Sequence, residues 1–206
     1  MDIRKVKDTL FSMKQNGTVI RIPNGFLKTI PFDFSDSEPE CIELLSRWRI
    51  ENPSLSPARF PISNERTERW LKNSILNNEL RIMFMIQNEE MKNIGHIGLS
   101  GMNFETNSVR LDSVMKGVKD GTPGIMHHAI QALKDWCRNT LEANSMDLVV
   151  LDDNARAIKL YHSCNFHQDK VIFLRKEEKN GEINWVEDSS LTSSPVRFIH
   201  MVTALE

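Results

Sequence analysis

Asn154 and Tyr161 stand at the two ends of a short stretch, Asn154-Ala-Arg-Ala-Ile-Lys-Leu-Tyr161, whose residue types could do chemistry together. Asparagine is a preferred helix N-cap. Leu148-Val-Val-Leu151 followed by Asp152-Asp153 reads as an apolar strand and a polar turn feeding that cap. Beyond it Ala157, Ile158 and Tyr161 recur at helical spacing, so Tyr161 shares a face with Ala157, one turn away. A phenol has an unperturbed pKa of ~10, keeps its proton at neutral pH and can pass it to a leaving group. The same spacing also suits a tyrosine that only plugs a core.

A second region offers anion chemistry. Arg110 to Gly117 reads as a strand, Val118 to Gly124 as a loop with Gly121 and Gly124, and the residues through Trp136 as a helix. In that helix Ile125, Ala129, Ile130, Leu133, Trp136 and Cys137 form one apolar stripe, with Gln131, Lys134, Asp135 and Arg138 facing away. Thr122 is a natural N-cap and Pro123 a natural first helical residue, which predicts a helix start inside the loop. Such a terminus presents unpaired backbone N–H groups and a partial positive charge, as a pyrophosphate requires. No Gly-Lys-Ser/Thr follows, so this is not a kinase-type phosphate loop.

Other elements must position these two regions. Residues 1–15 suit a short amphipathic helix, and Thr18–Ile22 a strand before Pro23-Asn-Gly25. Phe26 to Phe34 reads as a first core strand, and helices are expected through Cys41 to Trp48 and from Asn64 to about Leu76. Strands follow at Arg81–Gln87, Ile94–Met102 and Val109–Lys116, then at Val171–Arg175 and Arg197–Ala204, with a hairpin turn at Lys179-Asn-Gly181-Glu. With 206 residues, 40% of them hydrophobic and 26% charged, one domain with a sizeable core is expected. A formal charge of −2 gives no electrostatic reason to expect nucleic acid as main partner. Three widely spaced cysteines, Cys41, Cys137 and Cys164, are expected reduced, in a cytoplasmic setting. No apolar run suggests a signal peptide or a membrane span. His127 and His128 are adjacent on a helix and point about 100° apart, the remaining histidines lack ligand-like spacing, and no metal is expected.

The stretch Asn154-x-x-Ala157-x-x-x-Tyr161, closed by Asn165-Phe166 in place of Gly-Phe, resembles the last motif of the GNAT acetyltransferases. The glycine loop, the order strand-loop-helix-strand-helix and the spacing of the two motifs resemble the same family. Gly121 and Met126 depart from its loop pattern, where a basic or amide residue and a small residue are common. Asn165 keeps the turn feasible, because asparagine tolerates a left-handed helix end. The resemblance implies an α/β GNAT fold: a mixed, mostly antiparallel twisted sheet of about seven strands flanked by helices. Its fourth and fifth strands, here Val109–Lys116 and Leu148–Leu151, would splay apart. Residues 26–206 would form the acetyltransferase domain and residues 1–25 an N-terminal extension that packs on the core, covers the acceptor pocket or forms a homodimer contact.

The resemblance further implies acetyl-CoA as co-substrate, touching Val114, Met115, Gly121, Thr122, Gly124, Ile125, Met126, Asn154, Ala157 and Tyr161. Asn154 would lie by the pantetheine arm, and Tyr161 would protonate the departing thiolate. Asp112 and His96 are the candidates for taking the amine proton. Alternation puts Asp112 on the face of Val114 and Lys116, unless a bulge reverses it, and His96 titrates near neutrality. A structural carboxylate and a hydrogen-bonded strand histidine are the alternatives. Trp48-Arg49-Ile-Glu-Asn52, Phe60 and Trp70-Leu71 are similar to text in the amino-sugar and ribosomal-protein N-terminal acetyltransferases, and Leu111 to Gly117 to that of surface-polysaccharide enzymes. Trp48, Arg49 and Phe60 would then bind the acceptor, a small amine, foremost a nucleotide-linked 4-amino-4,6-dideoxy sugar. A peptide N-terminus and a non-catalytic CoA-binding module are the alternatives.

Overall fold

The computed structural model describes residues 1–118 and 122–205. A nine-stranded sheet runs through them, built from β1 (Val19–Ile22), β2 (Gly25–Thr29), β3 (Ile82–Asn88), β4 (Asn93–Asn103), β5 (Ser108–Lys116), β6 (Ser145–Leu151), β7 (His167–Lys179), β8 (Glu182–Glu187) and β9 (Arg197–Ala204). In space the order is β1-β2-β3-β4-β5-β6-β9-β7-β8. Every neighbouring pair is antiparallel except β5 with β6. The two strands beyond the expected seven are β1, from the N-terminal segment, and β8, which the sequence signals only through its turn. That turn is Asn180-Gly181, both at positive φ (53° and 77°), the geometry that tight hairpins demand.

Helices cover both faces: α1 (Ile3–Asn16), α5 (Ile125–Trp136) and α6 (Ala155–Ser163) on one, α2 (Phe34–Ser37), α3 (Cys41–Glu51) and α4 (Asn64–Trp70) on the other. The central strand β3 reads Ile-Met-Phe-Met-Ile because it is buried on both sides. Ile82, Phe84 and Ile86 join the first layer's core, Met83 and Met85 the second's. β2 stops at Thr29 instead of reaching Phe34, since Pro31 has no N–H to donate to a ladder and Phe34 starts α2.

α1 is part of this core. Asp2 caps it by accepting from the Lys5 N–H (2.7 Å), and Gly17 at φ 58° ends it. Val6, Leu10 and Met13 lie buried among Leu27, Phe84 and Leu133, each worth roughly 1.5–3 kcal/mol of apolar burial. The buried Lys14 donates to the carbonyls of Leu76 (3.0 Å) and Asn78 (2.8 Å), where the π-helical continuation of α4, Leu71–Leu76, ends. Of the three roles open to this segment, packing on the core is thus one it fulfils.

Candidate active site

β5 and β6 run together for three residue pairs, Ser108↔Ser145, Val109↔Met146 and Arg110↔Asp147, and then part. Beyond Arg110, β5 has no strand partner on that edge among the described residues. The parting opens into a cavity of about 710 Å³, walled by β5, β6, the first turn of α5, α6 and the loop between α3 and α4. An edge of unpaired peptide groups beside a cavity suits an extended, amide-bearing ligand.

A bulge interrupts β5 inside this gap. His96 pairs with Met115 and Gly98 with Asp112, so Ile97 faces both Ser113 and Val114, and Ser113 takes φ 51°. The bulge reverses the alternation: Val109, Leu111 and Val114 belong to the α5–α6 layer, Met115 to the α2–α4 layer. Asp112 therefore shares the face of His96 and Met115, not that of Val114 and Lys116 as strict alternation requires. Its carboxylate is occupied, ion-paired with Arg81 and accepting from the Ser113 N–H (2.6 Å). Asp112 pins the bulge, and Arg81, thirty-one residues away, is a partner that no local pattern announces.

His96 is 5% exposed, lines the cavity and has its Nδ1 2.6 Å from the Ser113 carbonyl oxygen. A carbonyl can only accept, so Nδ1 carries the hydrogen and Nε2 is left bare. Burial pulls its pKa down to about 4, helped by the Arg49 charge and opposed by the Ser113 carbonyl and Asp112. The imidazole is thus neutral at pH 7. Trp48 stacks on it (6.1 Å, 30°) but is 0% exposed and absent from the cavity wall. Its expected place against an acceptor is corrected: it backs His96. Gly117 is what admits it, since a Cβ there would come within 2.1 Å of the indole.

Asn154 caps α6, its Oδ1 accepting from the Ala157 N–H (3.1 Å), which leaves the amide NH₂ for other partners. Asn154, Ala157 and Tyr161 all line the cavity. Tyr161 is 6% exposed, edge-on to Phe166 (6.1 Å, 65°), and its hydroxyl has no hydrogen-bond partner among the described residues. Burial first, then the nearby Cys164 and Asp112, push its pKa well above the usual phenol value. Asn165 at φ 65° ends the helix in the left-handed conformation expected of it.

α5 begins later than its sequence suggests. Gly124, at φ 75°, occupies the N-cap position and Ile125 is the first helical residue, so Thr122 and Pro123 belong to the turn before it. A residue at that φ cannot sit within a right-handed helix, which forces the start past it. No side chain caps this end, and Thr122, Gly124, Ile125 and Met126 line the cavity, so the first turn's N–H groups suit a phosphate. Gly121 lies outside the described residues. Val114 and Met115 line the cavity along the β5 edge.

On the opposite wall Arg49 lies over the rings of Phe60 (5.6 Å) and Trp70 (4.8 Å). The loop carrying Phe60 is clipped to β8 by reciprocal Arg59–Ile183 backbone hydrogen bonds (2.8 Å each), and the first turn of α4 by the Arg66–Glu182 ion pair (2.7 Å). Nothing in the sequence pattern signals that β8 supports this wall.

Residues 30–167 match the family model described as an acetyltransferase (GNAT) domain. The chain belongs to the GNAT acetyltransferases. Solved structures agree on the fold. A mutant form of the spermidine/spermine N-acetyltransferase SpeG of Vibrio cholerae has 14% identity and a TM-score of 0.63, over 89% of this chain and 95% of that one. A dodecameric form of the spermidine enzyme from the same organism gives 14% and 0.62, over 89% and 95%. Its complex with CoA and spermine gives 14% and 0.59, over 89% and 96%. These GNAT neighbours are named for spermidine, not for nucleotide-linked sugars, and at this identity they speak to the fold. No curated protein matches in sequence.

Proposed function

We propose that this GNAT domain transfers the acetyl group of acetyl-CoA to the amine of a small acceptor. The observation that carries the reading is Tyr161 on the cavity wall where α6 meets the β5–β6 gap, its hydroxyl unpartnered among the described residues. Tyr161 holds its proton until the amine nitrogen has attacked the thioester carbonyl, then gives it to the sulfur as the C–S bond breaks, and the proton that the acylated nitrogen sheds returns through water to restore the phenol. The first turn of α5 receives the pyrophosphate, and the free β5 edge at Val114 and Met115 pairs with the pantetheine amides, alongside the Asn154 NH₂. Neutral His96 offers its bare Nε2 to an amine N–H and orients the nucleophile. With a pKa of about 4 it is a weak base, so the amine must arrive uncharged. The cavity favours that state: among the described residues its wall carries Arg49, Arg59, Arg110, Lys116 and Arg156 against one carboxylate, Asp112, which Arg81 already neutralises.

That charge also bears on the acceptor. A polycation such as the spermidine of the structural neighbours would meet repulsion here, whereas a nucleotide-linked 4-amino-4,6-dideoxy sugar brings a diphosphate that cations can hold. Free-thiol release from acetyl-CoA, measured with nucleotide-linked amino sugars, ribosomal N-terminal peptides and spermidine, tests the reading. Turnover of the sugars is expected. Turnover of spermidine or the peptides alone overturns the sugar assignment, and silence across all three overturns the acetyltransferase role.

A further inference from the structure

Of the cations on the cavity wall, Arg49, Lys116 and Arg156 have no ion pair or hydrogen-bond acceptor among the described residues, and of these three Arg49 is the one seated against aromatic rings. It is half-buried, and burial, with the Arg66 charge adding to it, disfavours its charged form. Yet it has no ion pair and no hydrogen-bond acceptor among the described residues. Arg110 is held by Asp147 (2.5 Å), Arg81 by Asp112, Arg66 by Glu182, and Arg59 donates to the carbonyls of Ser56 (2.7 Å) and Ala58 (2.9 Å). What holds Arg49 is the ring faces of Phe60 and Trp70. Stacking fixes the plane of a guanidinium and leaves its N–H fork for in-plane acceptors, the geometry that grips carboxylate or phosphate through two parallel bonds. Leaving such a group partly desolvated and unpaired is costly unless something arrives to pair it.

We propose that Arg49 is the specificity-determining residue of the acceptor side, a preformed clamp for an anionic group carried by the acceptor amine. The inference rests on the acetyltransferase reading and narrows its substrate class to amines bearing a phosphate or a carboxylate. Phe60 and Trp70 are then the splints that hold the clamp rigid, and Asn52, one turn along and also on the cavity wall, lies within the same subsite. Arg66 faces the same Phe60 ring (5.5 Å) and is paired with Glu182.

The test compares the wild-type chain with Arg49→Gln and Arg49→Lys in two measurements. In the first, thiol release from acetyl-CoA is followed with matched amines that carry a phosphate, a carboxylate, a hydroxyl or a second amine. The wild type should prefer the anionic members by about 10- to 100-fold in kcat/KM. Arg49→Gln should erase that preference by raising the acceptor KM while the acetyl-CoA KM stays put, and Arg49→Lys should restore part of it. Equal turnover of hydroxyl or amine analogues by the wild type, or a preference retained in Arg49→Gln, overturns the proposal. In the second, inorganic phosphate and acetate are titrated into CoA-saturated protein and thermal unfolding is recorded. Stabilisation of the wild type but not of Arg49→Gln is expected, and whichever anion stabilises more identifies the group. If no amine is acetylated yet the anion effect depends on Arg49, the acetyltransferase reading fails and the clamp stands. If acetylation occurs and neither measurement responds to Arg49, the clamp fails and the acetyltransferase reading stands.

Discussion

Tyr161→Phe separates chemistry from packing. The substitution keeps the ring, with its edge-on contact to Phe166 and its place in the core formed by Leu133, Cys164 and Met201. The hydroxyl it removes has no partner among the described residues, so no buried donor or acceptor there is orphaned. Stability should therefore change by no more than about 0.5 kcal/mol, or roughly 2 °C in Tm for a domain of this size. The chemical step should suffer far more. Loss of a positioned general acid costs about 10²- to 10⁴-fold, which is about 2.7–5.4 kcal/mol at 1.36 kcal/mol per tenfold. Thiol release under acceptor saturation should show the loss in kcat, with the acetyl-CoA KM nearly constant, because the proton transfer is made only in the transition state. The raised pKa of Tyr161 adds a second mark: the wild type should show no alkaline fall in rate from this group up to about pH 10. A Tyr161→Phe protein that is folded, binds acetyl-CoA and retains kcat within about threefold of wild type would refute the proton-donor role.

Three further outcomes follow from the geometry. Gly117→Ala forces a Cβ into the Trp48 ring at 2.1 Å, and overpacking of this kind costs about 1–3 kcal/mol; an unchanged Tm would show that Trp48 does not depend on the glycine. Gly124→Ala places a side chain at φ 75°, a strain of about 1–2 kcal/mol, and should raise the acetyl-CoA KM while sparing the acceptor KM; steady-state kinetics with each substrate varied in turn decides. His96 titrates near 6.5 in the unfolded chain and about 4 in the folded one, so the unfolded state binds more protons between those values. Stability is full above pH 6.5 and falls as pH drops toward 4, by up to about 3 kcal/mol. Denaturant unfolding across pH 4–7 should show a shallower slope for His96→Gln; parallel curves would place the acid sensitivity elsewhere.

The locally encoded features, those of α6 foremost, were legible in the chain. Asn154 as cap, Tyr161 one turn beyond Ala157, Asn165 as left-handed terminator and Asn180-Gly181 as hairpin turn each act within a few residues of themselves, where spacing and propensity decide. The β5 bulge and the cavity wall opposite α6 are encoded at a distance. The bulge at Ser113 has no glycine or asparagine to announce it, and it is stabilised by Asp112, Arg81 and His96 together. That single register shift moves Asp112 to the other face. Trp48 reads like a ligand-stacking residue in sequence, but Gly117 lets it sink beneath His96, and aromatic side chains carry no mark that tells a buried ring from an exposed one. Thr122 and Pro123 are good helix starters by type, yet Gly124 after them takes a conformation that overrides both. The clip between the α3–α4 loop and β8 joins residues more than a hundred positions apart and left no local signal.

The central claim is that the β5–β6 gap and the first turn of α5 form a site for acetyl-CoA. Thermal unfolding of the whole chain with and without acetyl-CoA tests it without needing the acceptor. At a hundredfold excess over Kd, binding to the folded state alone adds about 2.7 kcal/mol, which is roughly 5–11 °C in Tm for a domain of this size. The account predicts such a rise, reduced in Gly124→Ala and unaffected in Arg49→Gln. An unchanged Tm at millimolar acetyl-CoA would contradict it.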